Sequence, residues 1–579
     1  MHPASDDPSP DRPEGQPRAD TAPGAAPPHR SAEALGKRVG GGMAWMLLAT
    51  VTAKLSTLGA QIVLGLLLAE DDFGVYAAAI GLAAFIQAFR DGGVRQLLIQ
   101  KGSAHWEGLA GAAFWLASLV NLTMAALLAL AAAAIYALPI GGATAYADPR
   151  LPAVLLVLAA ALAAASPVLI FQARLSTQLR FRSVAVMNTQ QALVRNGSMI
   201  VFALLGFGPL SFALPILVAT LYVNVCGYYL TRDRLWTRAP RRRLWPAMIA
   251  RGKWLVLMAI ALAALLQGDY FVLGWLVPAG LVGLYFFAYQ ITAQIQILLG
   301  VNLQLVLFPA LSKLRHEPQR FRAATLRAVR VLSLFACGAG VGLALVYDPL
   351  QRLIWGEKWA ATVPAVQIMA VSFPFRMLAN VMNSAMMARG LYKPLALLTL
   401  TAGGGLMLAA AAAAATTWAL MGDALQTIAA AAAEAAPDGP AVGSIAGADH
   451  ALTMLAAFTA AFFVLGVTAL TLVGLRKAGA PAFRVLAGIL PVWTLAVALG
   501  AALYAIEHAA SAAAGAQLPP ALRIVALGGA FTFAYALGVR SLVPRALDDS
   551  LAVLPARLAA PTRRLLRLPR NAGSDEPPL

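Results

Sequence analysis

The chain has 579 residues, of which 60% are hydrophobic and only 12% charged, and its mean hydropathy is +0.72. Soluble domains carry about twice that charged fraction, so a water-soluble globule is excluded. The formal charge of +18 is scattered over many short segments, which excludes a nucleic-acid-binding face.

Residues 1–36, rich in Pro, Ala, Asp and Arg, predict a disordered cytoplasmic tail. They lack the basic start, short apolar core and cleavage site of a signal peptide, so the first span itself is expected to direct insertion. Apolar runs then recur near 43–69, 74–89, 109–138, 151–171, 184–205, 210–230, 254–277, 280–307, 329–347, 362–388, 392–418, 451–475, 484–507 and 520–540. Each is long enough to approach the roughly 30 Å of a bilayer's hydrocarbon. They must be helices, because lipid offers backbone groups no partners. The fold expected is therefore an all-α polytopic membrane protein of about fourteen spans. Residues 419–449 predict an outward Ala/Gly-rich loop. The end, 541–579, carries Arg545, Arg557, Arg563, Arg564, Arg567 and Arg570 among Leu and Ala, a pattern that suits a basic cytoplasmic helix lying on anionic lipid.

Alternate connections give an independent check, since cytoplasmic loops hold the Lys and Arg. One set contains Arg90, Arg95 and Lys101, then Arg174 to Arg182, Arg232 to Lys253, Lys313 to Arg330, Arg389 with Lys393, and Arg476 to Arg484. The other set holds Glu70, Asp71, Asp72, Asp148, Asp348, Glu357, Asp423, Glu434, Asp438, Asp449 and Glu507, with Arg150, Arg352 and Lys358 as its main basic members. Both termini are thereby expected in the cytoplasm.

Comparison of the chain with itself shows Val63-Leu64-Gly65 … Gly74-Val75-Tyr76 returning as Val272-Leu273-Gly274 … Gly283-Leu284-Tyr285 at identical spacing. Leu67 and Leu276, and Ala79 and Ala288, share that offset. It corresponds to about six spans, so two parallel lobes are expected: 37–243, and 244–418 completed by 450–475. The pair of spans in 476–540 falls outside the repeat.

Polar side chains at membrane depth are costly and mark functional candidates. Thr50, Lys54, Thr57 and Gln61 fall on one face of the first span, and Asn188, Gln191 and Arg195 on one face of the fifth. Ser372, Arg376, Asn380 and Asn383 stripe the tenth, and Gln290, Gln294 and Gln304 the eighth. Lys54, Arg195 and Arg376 outnumber the acid Asp269 of the seventh span, so the expected guest of a cavity between the lobes is an anion. Arg suits phosphate or carboxylate in particular. Asp269 is a candidate for carrying a coupling ion or pairing with a neighbouring cation. Cys226 and Cys337 stand apart from each other and from any His, no metal site or cofactor is indicated, and no phosphate-binding Walker loop is visible.

The segments Phe89-Arg90-Asp91-Gly92-Gly93, Asp269 through Gln290, Leu307-Phe308-Pro309-Ala310-Leu311-Ser312, Trp355-Gly356-Glu357-Lys358-Trp359 and Met386 to Gly390 together resemble bacterial polysaccharide flippases. These are the O-antigen, exopolysaccharide and teichuronic-acid branch of the multidrug/oligosaccharidyl-lipid/polysaccharide exporter superfamily. The resemblance covers residues 40–400. It implies two six-helix lobes that open alternately to each side of a bacterial inner membrane. The implied cargo is an undecaprenyl-pyrophosphate-linked oligosaccharide, with membrane lipids, a polysaccharide polymerase and glycosyltransferases as partners. A lipid II flippase or other exporter of the same superfamily is the alternative. A membrane glycosyltransferase, polymerase or ligase using Glu70, Asp71 and Asp72 is the alternative of another class, disfavoured by an outward loop at 419–449 that carries few catalytic residue types.

Overall fold

The computed structural model describes residues 51–90, 94–102, 105–138, 144–178, 180–434, 447–514, 518–542, 544 and 547. The expected tail at 1–36, the start of the first span and most of the basic segment at 541–579 lie outside the described residues. Within them the chain is built of helices, and no strand occurs among the described residues. The first half comprises α1 (Val51–Leu67), α2 (Glu70–Gln87), the short α3 (Val94–Lys101), α4 (Trp106–Ala137), α5 (Leu151–Ala163), α6 (Ser166–Thr177), α7 (Phe181–Leu204) and α8 (Leu210–Thr231). The second comprises α9 (Trp245–Leu276), α10 (Ala279–Lys313), α11 (Pro318–Trp355), α12 (Val363–Ala388), α13 (Tyr392–Glu434), α14 (Ala448–Ala461) and α15 (Thr468–Lys477). The last two helices are α16 (Ala482–Ala514) and α17 (Pro520–Leu542).

Nine helical segments of the described residues are long and apolar enough to cross a membrane, and the pair α5–α6, bent by 42°, makes a tenth. With α1, α2, α7 and α10, which carry more polar residues or are shorter, the described chain holds the expected fourteen spans. α14 and α15 form one of them, joined through a π-helical turn at Phe462–Val467.

Two expectations are corrected. The loop expected at 419–449 is helical as far as Glu434, because α13 continues past a kink at Met421 (φ −138°) into an Ala-rich run; Ala is the best helix former even where hydropathy falls. Glu70, Asp71 and Asp72 form the first turn of α2 and not a loop. Asp72 accepts from the Ala69 backbone N–H at 3.1 Å, and acids suit a helix N-terminus.

The loops of the acidic set gather at one end of the helices and those of the basic set at the other, and the apolar core divides accordingly. At the acidic end one cluster joins both halves, including Leu64, Phe73, Leu155, Tyr285, Trp359 and Leu452. At the basic end the clusters are smaller and lie mostly within one half: Trp106 with Phe171 and Leu235, joined by Met248 from the start of α9, and Phe321 with Met386 and Val485. The halves therefore share a large core at the acidic end, whereas at the basic end they meet where the start of α9 packs on α4, with the Trp245 indole donating to Ala112 at 3.1 Å.

The repeated glycines explain how close that packing is. α2 and α10 cross at Gly74 and Gly283, and a Cβ on Gly74 would lie 1.7 Å from the Ala279 carbonyl oxygen. A Cβ on Gly283 would lie 1.9 Å from the carbonyl oxygen of Glu70. Only glycine lets two backbones approach so closely. The contact is reciprocal, so the repeated residues meet about a pseudo-twofold axis. α16 and α17 pack on α11, outside this pair.

Candidate functional site between the halves

The polar stripes expected from the sequence meet in part where the two halves face each other. Gln294 on α10 donates to Gln61 on α1 at 2.9 Å, a bond between neutral amides that links the halves. Two turns closer to the basic end, roughly 10 Å along α1, lies Lys54. Lys54 feels the charge of Arg195 on α7, and Arg195 is exposed while Lys54 is half-buried. Neither makes an ion pair among the described residues. Like charges with no ion-paired acid among the described residues favour an anionic neighbour over a cationic one.

α7 is fixed against α1 by Asn196, a residue the stripe analysis missed. Its amide donates to Ser56 and Thr57, each at 3.1 Å. The signal was its place beside Arg195, but its bonding partners lie far away in sequence and could not be read. Gln191 and Gln290 are half-buried. Asn380 accepts from Gln304 at 2.9 Å within the second half, where Gly300 leaves room for it: a Cβ there would stand 2.5 Å from the Asn380 amide nitrogen.

Arg376 is placed differently from Lys54 and Arg195. It is 5% exposed, with its guanidinium carbon 5.0 Å from the Tyr289 ring centre and 4.9 Å from that of Phe463. Such stacking stabilises a desolvated guanidinium. Asp269, fully buried, supplies the opposite charge nearby. It accepts from the Tyr285 hydroxyl at 2.9 Å and the Tyr270 backbone N–H at 3.0 Å, while Tyr285 also shares a hydrogen bond with Thr459 of α14 at 3.0 Å. Asp269 and Arg376 thus belong to a buried network inside the second half, apart from the half-buried Lys54 and the exposed Arg195 of the first.

Polar groups at the acidic end are paired more fully. Arg150 bonds Asp72 at 2.8 Å and Asp148 at 2.9 Å. Lys358 donates to the carbonyls of Leu68 and Leu66, at 2.7 and 3.2 Å. Burial pulls its ammonium below the usual lysine value, against the opposing influence of Glu70 and Asp72.

Known proteins agree with this architecture. The fold resembles that of a solved structure described as the lipid II flippase MurJ in an inward closed conformation, with a TM-score of 0.59 over 86% of this chain and 99% of that one at 12% identity. Among curated proteins, 122 residues are 30% identical to a teichuronic acid biosynthesis protein, TuaB, of Bacillus subtilis, covering 21% of this chain and 25% of that protein. A lipopolysaccharide biosynthesis protein, WzxC, of Escherichia coli is 29% identical over 118 residues, 20% of this chain and 24% of that one. An uncharacterized membrane protein in the cps region of Klebsiella pneumoniae is 36% identical over 84 residues, 14% and 17% respectively. The chain thus spans a quarter or less of the length of these curated relatives. A family model described as polysaccharide biosynthesis protein matches residues 63–364, from the first repeat to the start of α12. Because that match takes in more than half of its residues, this multi-pass membrane chain belongs to the polysaccharide biosynthesis protein family.

Proposed function

We propose that the protein flips undecaprenyl-pyrophosphate-linked oligosaccharide units from the cytoplasmic to the outer leaflet of a bacterial inner membrane, for surface polysaccharide synthesis. The observation that carries this reading is the pair Lys54 and Arg195, two cations that make no ion pair among the described residues, on a face of the first half whose Gln61 bonds Gln294 of the second. The basic end is oriented to the cytoplasm and both termini lie there, as the distribution of Lys and Arg favours. The two six-helix lobes are 37–243 and 244–475.

In this conformation the cavity faces the cytoplasm. Pyrophosphate is held by Lys54 and Arg195, the glycan lies along Gln61, Gln191, Gln290, Gln294 and Asn380, and the polyprenyl chain stays in lipid. Rocking of the halves parts the Gln61–Gln294 bond, and Arg376, shut behind Tyr289 beforehand, completes the anion site on the way out. Net movement needs a free-energy source. Asp269, the acid buried in the second half, is the candidate carrier of a coupling ion.

The test is export. Arg195→Ala and Arg376→Ala, made separately, are expected to abolish surface polysaccharide while membrane levels of the protein stay normal. Unchanged export in both overturns the site. Deletion of the gene should remove the polymer and spare viability; arrest of peptidoglycan synthesis instead would assign the lipid II type of cargo.

A further inference from the structure

We propose that the acidic end is shut by two reciprocal latches, each half capping the first helix of the other, and that α16 and α17 brace the stronger latch through Arg523. The inference rests on the reading that the two halves part and rejoin during transport.

The first latch is the segment Trp355-Gly356-Glu357-Lys358-Trp359 between α11 and α12. The last carbonyls of a helix have no partner within it, and at the end of α1 this segment supplies them from the other half. The Trp355 indole N–H donates to Ile62 at 3.0 Å, that of Trp359 to Gly65 at 3.0 Å, and the Lys358 ammonium to Leu66 and Leu68. A cation at a helix C-terminus also complements the helix dipole. Trp359 lies flat on Phe287, with ring centres 3.7 Å apart, so its indole is aimed by α10.

The second latch is the same device with the halves exchanged. The connection between α4 and α5 reaches α9, where the Ala145 backbone N–H donates to the Val277 carbonyl at 3.0 Å. Tyr146 packs into the notch at Gly274, whose Cβ would stand 2.7 Å from the ring, as a Cβ on Gly65 would stand 2.6 Å from the Trp355 indole. Gly65 with Gly274, Leu68 with Val277 and Tyr146 with Trp355 all stand at the sequence offset of the internal repeat. Here, among the described residues, one backbone N–H reaches across to a carbonyl of α9, and the Tyr146 hydroxyl turns back to Ala78 of its own half at 3.2 Å. The first latch, with four such bonds and a charge, is the stronger.

Ion pairs tie this stronger latch to the two helices outside the repeat. Glu357 bonds Arg352 at 3.1 Å, and Arg352 bonds Asp348 at 2.9 Å. Asp348 also bonds Arg523 of α17 at 3.2 Å, and Arg523 bonds Glu507 of α16 at 2.5 Å. Arg523 is 8% exposed, so α16 and α17 hold the end of α11, and the loop it carries, in place.

The test follows opening directly. In a Cys226→Ser background, Val75→Cys puts a thiol at a position that is 0% exposed in the shared core. Its labelling by a membrane-impermeant maleimide is measured in liposomes without substrate. Trp359→Phe keeps a ring on Phe287 and loses one hydrogen bond, so labelling should quicken about fivefold. Lys358→Met loses two bonds and a charge and should exceed that, and Arg523→Ala should also quicken it. Labelling unchanged by Trp359→Phe and Lys358→Met together overturns the latch. Labelling quickened by those two but untouched by Arg523→Ala overturns the brace. Where Lys358→Met reduces the folded fraction on gel filtration, Trp359→Phe alone decides. Since no cargo is present, failure here is distinct from failure of the export test, which bears on Lys54, Arg195 and the guest.

Discussion

Gly74→Ala adds one methyl group where the structure leaves none. The new Cβ would stand 1.7 Å from the Ala279 oxygen, 2.5 Å from its carbonyl carbon and 3.0 Å from the Gly283 nitrogen. Ordinary contact is about 3.5 Å, so α2 and α10 must separate by roughly 1.8 Å at the crossing. Both obstacles are backbone, and no side chain can turn aside. Overpacking of this kind costs about 1–3 kcal/mol. That cost falls on the state in which the acidic end is closed, because the two glycines cease to face each other once the halves part. It corresponds to a shift of roughly five- to 150-fold toward the parted state. Maleimide labelling of Val75→Cys reads the shift, and thermal melting in detergent reads the lost packing. Gly283→Ala, whose Cβ would meet the Glu70 oxygen at 1.9 Å, should behave alike, while Gly59→Ala, with nothing within 4 Å, should leave both readings at their wild-type values. If Gly74→Ala and Gly283→Ala label and melt like Gly59→Ala, the close crossing does not hold the halves together.

At the basic end, Asp233 accepts from the Trp106 indole at 2.8 Å and pairs with Arg238 at 2.8 Å, while Arg238 also binds Glu107. Asp233→Ala strands a buried N–H and should cost about 2–3 kcal/mol in melting experiments; Asp233→Asn, which keeps an acceptor, should cost less, and equal losses would refute the role given to that oxygen. Cys337 is fully buried in α11 while Cys226 is half-buried on α8. Native protein should therefore take up maleimide at Cys226 alone, with Cys337 reacting only after denaturation, and comparable native rates at both would contradict the packing of α11.

The spans were legible because apolar length is a strong signal and loop charge gives it an independent check. The start of α2 was not, since Glu70-Asp71-Asp72 reads as a solvated loop until Arg150, far along the chain, is seen to neutralise Asp72. The continuation of α13 past Trp418 was hidden for another reason: Ala carries helix propensity with little hydropathy, so an apolar count ends before the helix does. Within the site, periodicity put Lys54 and Gln61 on one face of α1, and Gln61 bonds Gln294 of α10. The stripe of Arg376 with Asn380 faced the right helix, but Tyr289 and Phe463 from two other elements close over the arginine, and a single-helix pattern carries no information about such partners. The repeat revealed two related halves. It could not reveal that its glycines touch each other.

The division of the apolar core also sets an order of assembly. Helices α1–α8 are synthesised first and supply most of their clusters at the basic end, to which α9 adds Met248. Leu64, Leu68 and Phe73, by contrast, belong to a cluster that draws on both halves, from Leu128, Leu155 and Phe212 to Tyr285, Trp359 and Leu452. The notch at Gly65 is filled by Trp355 and Phe287 of the second half, and the final carbonyls of α1 are likewise left to that interface. The acidic end is thus the last part of the molecule to be finished, and the surface that biogenesis leaves open longest is the one each cycle of movement separates again.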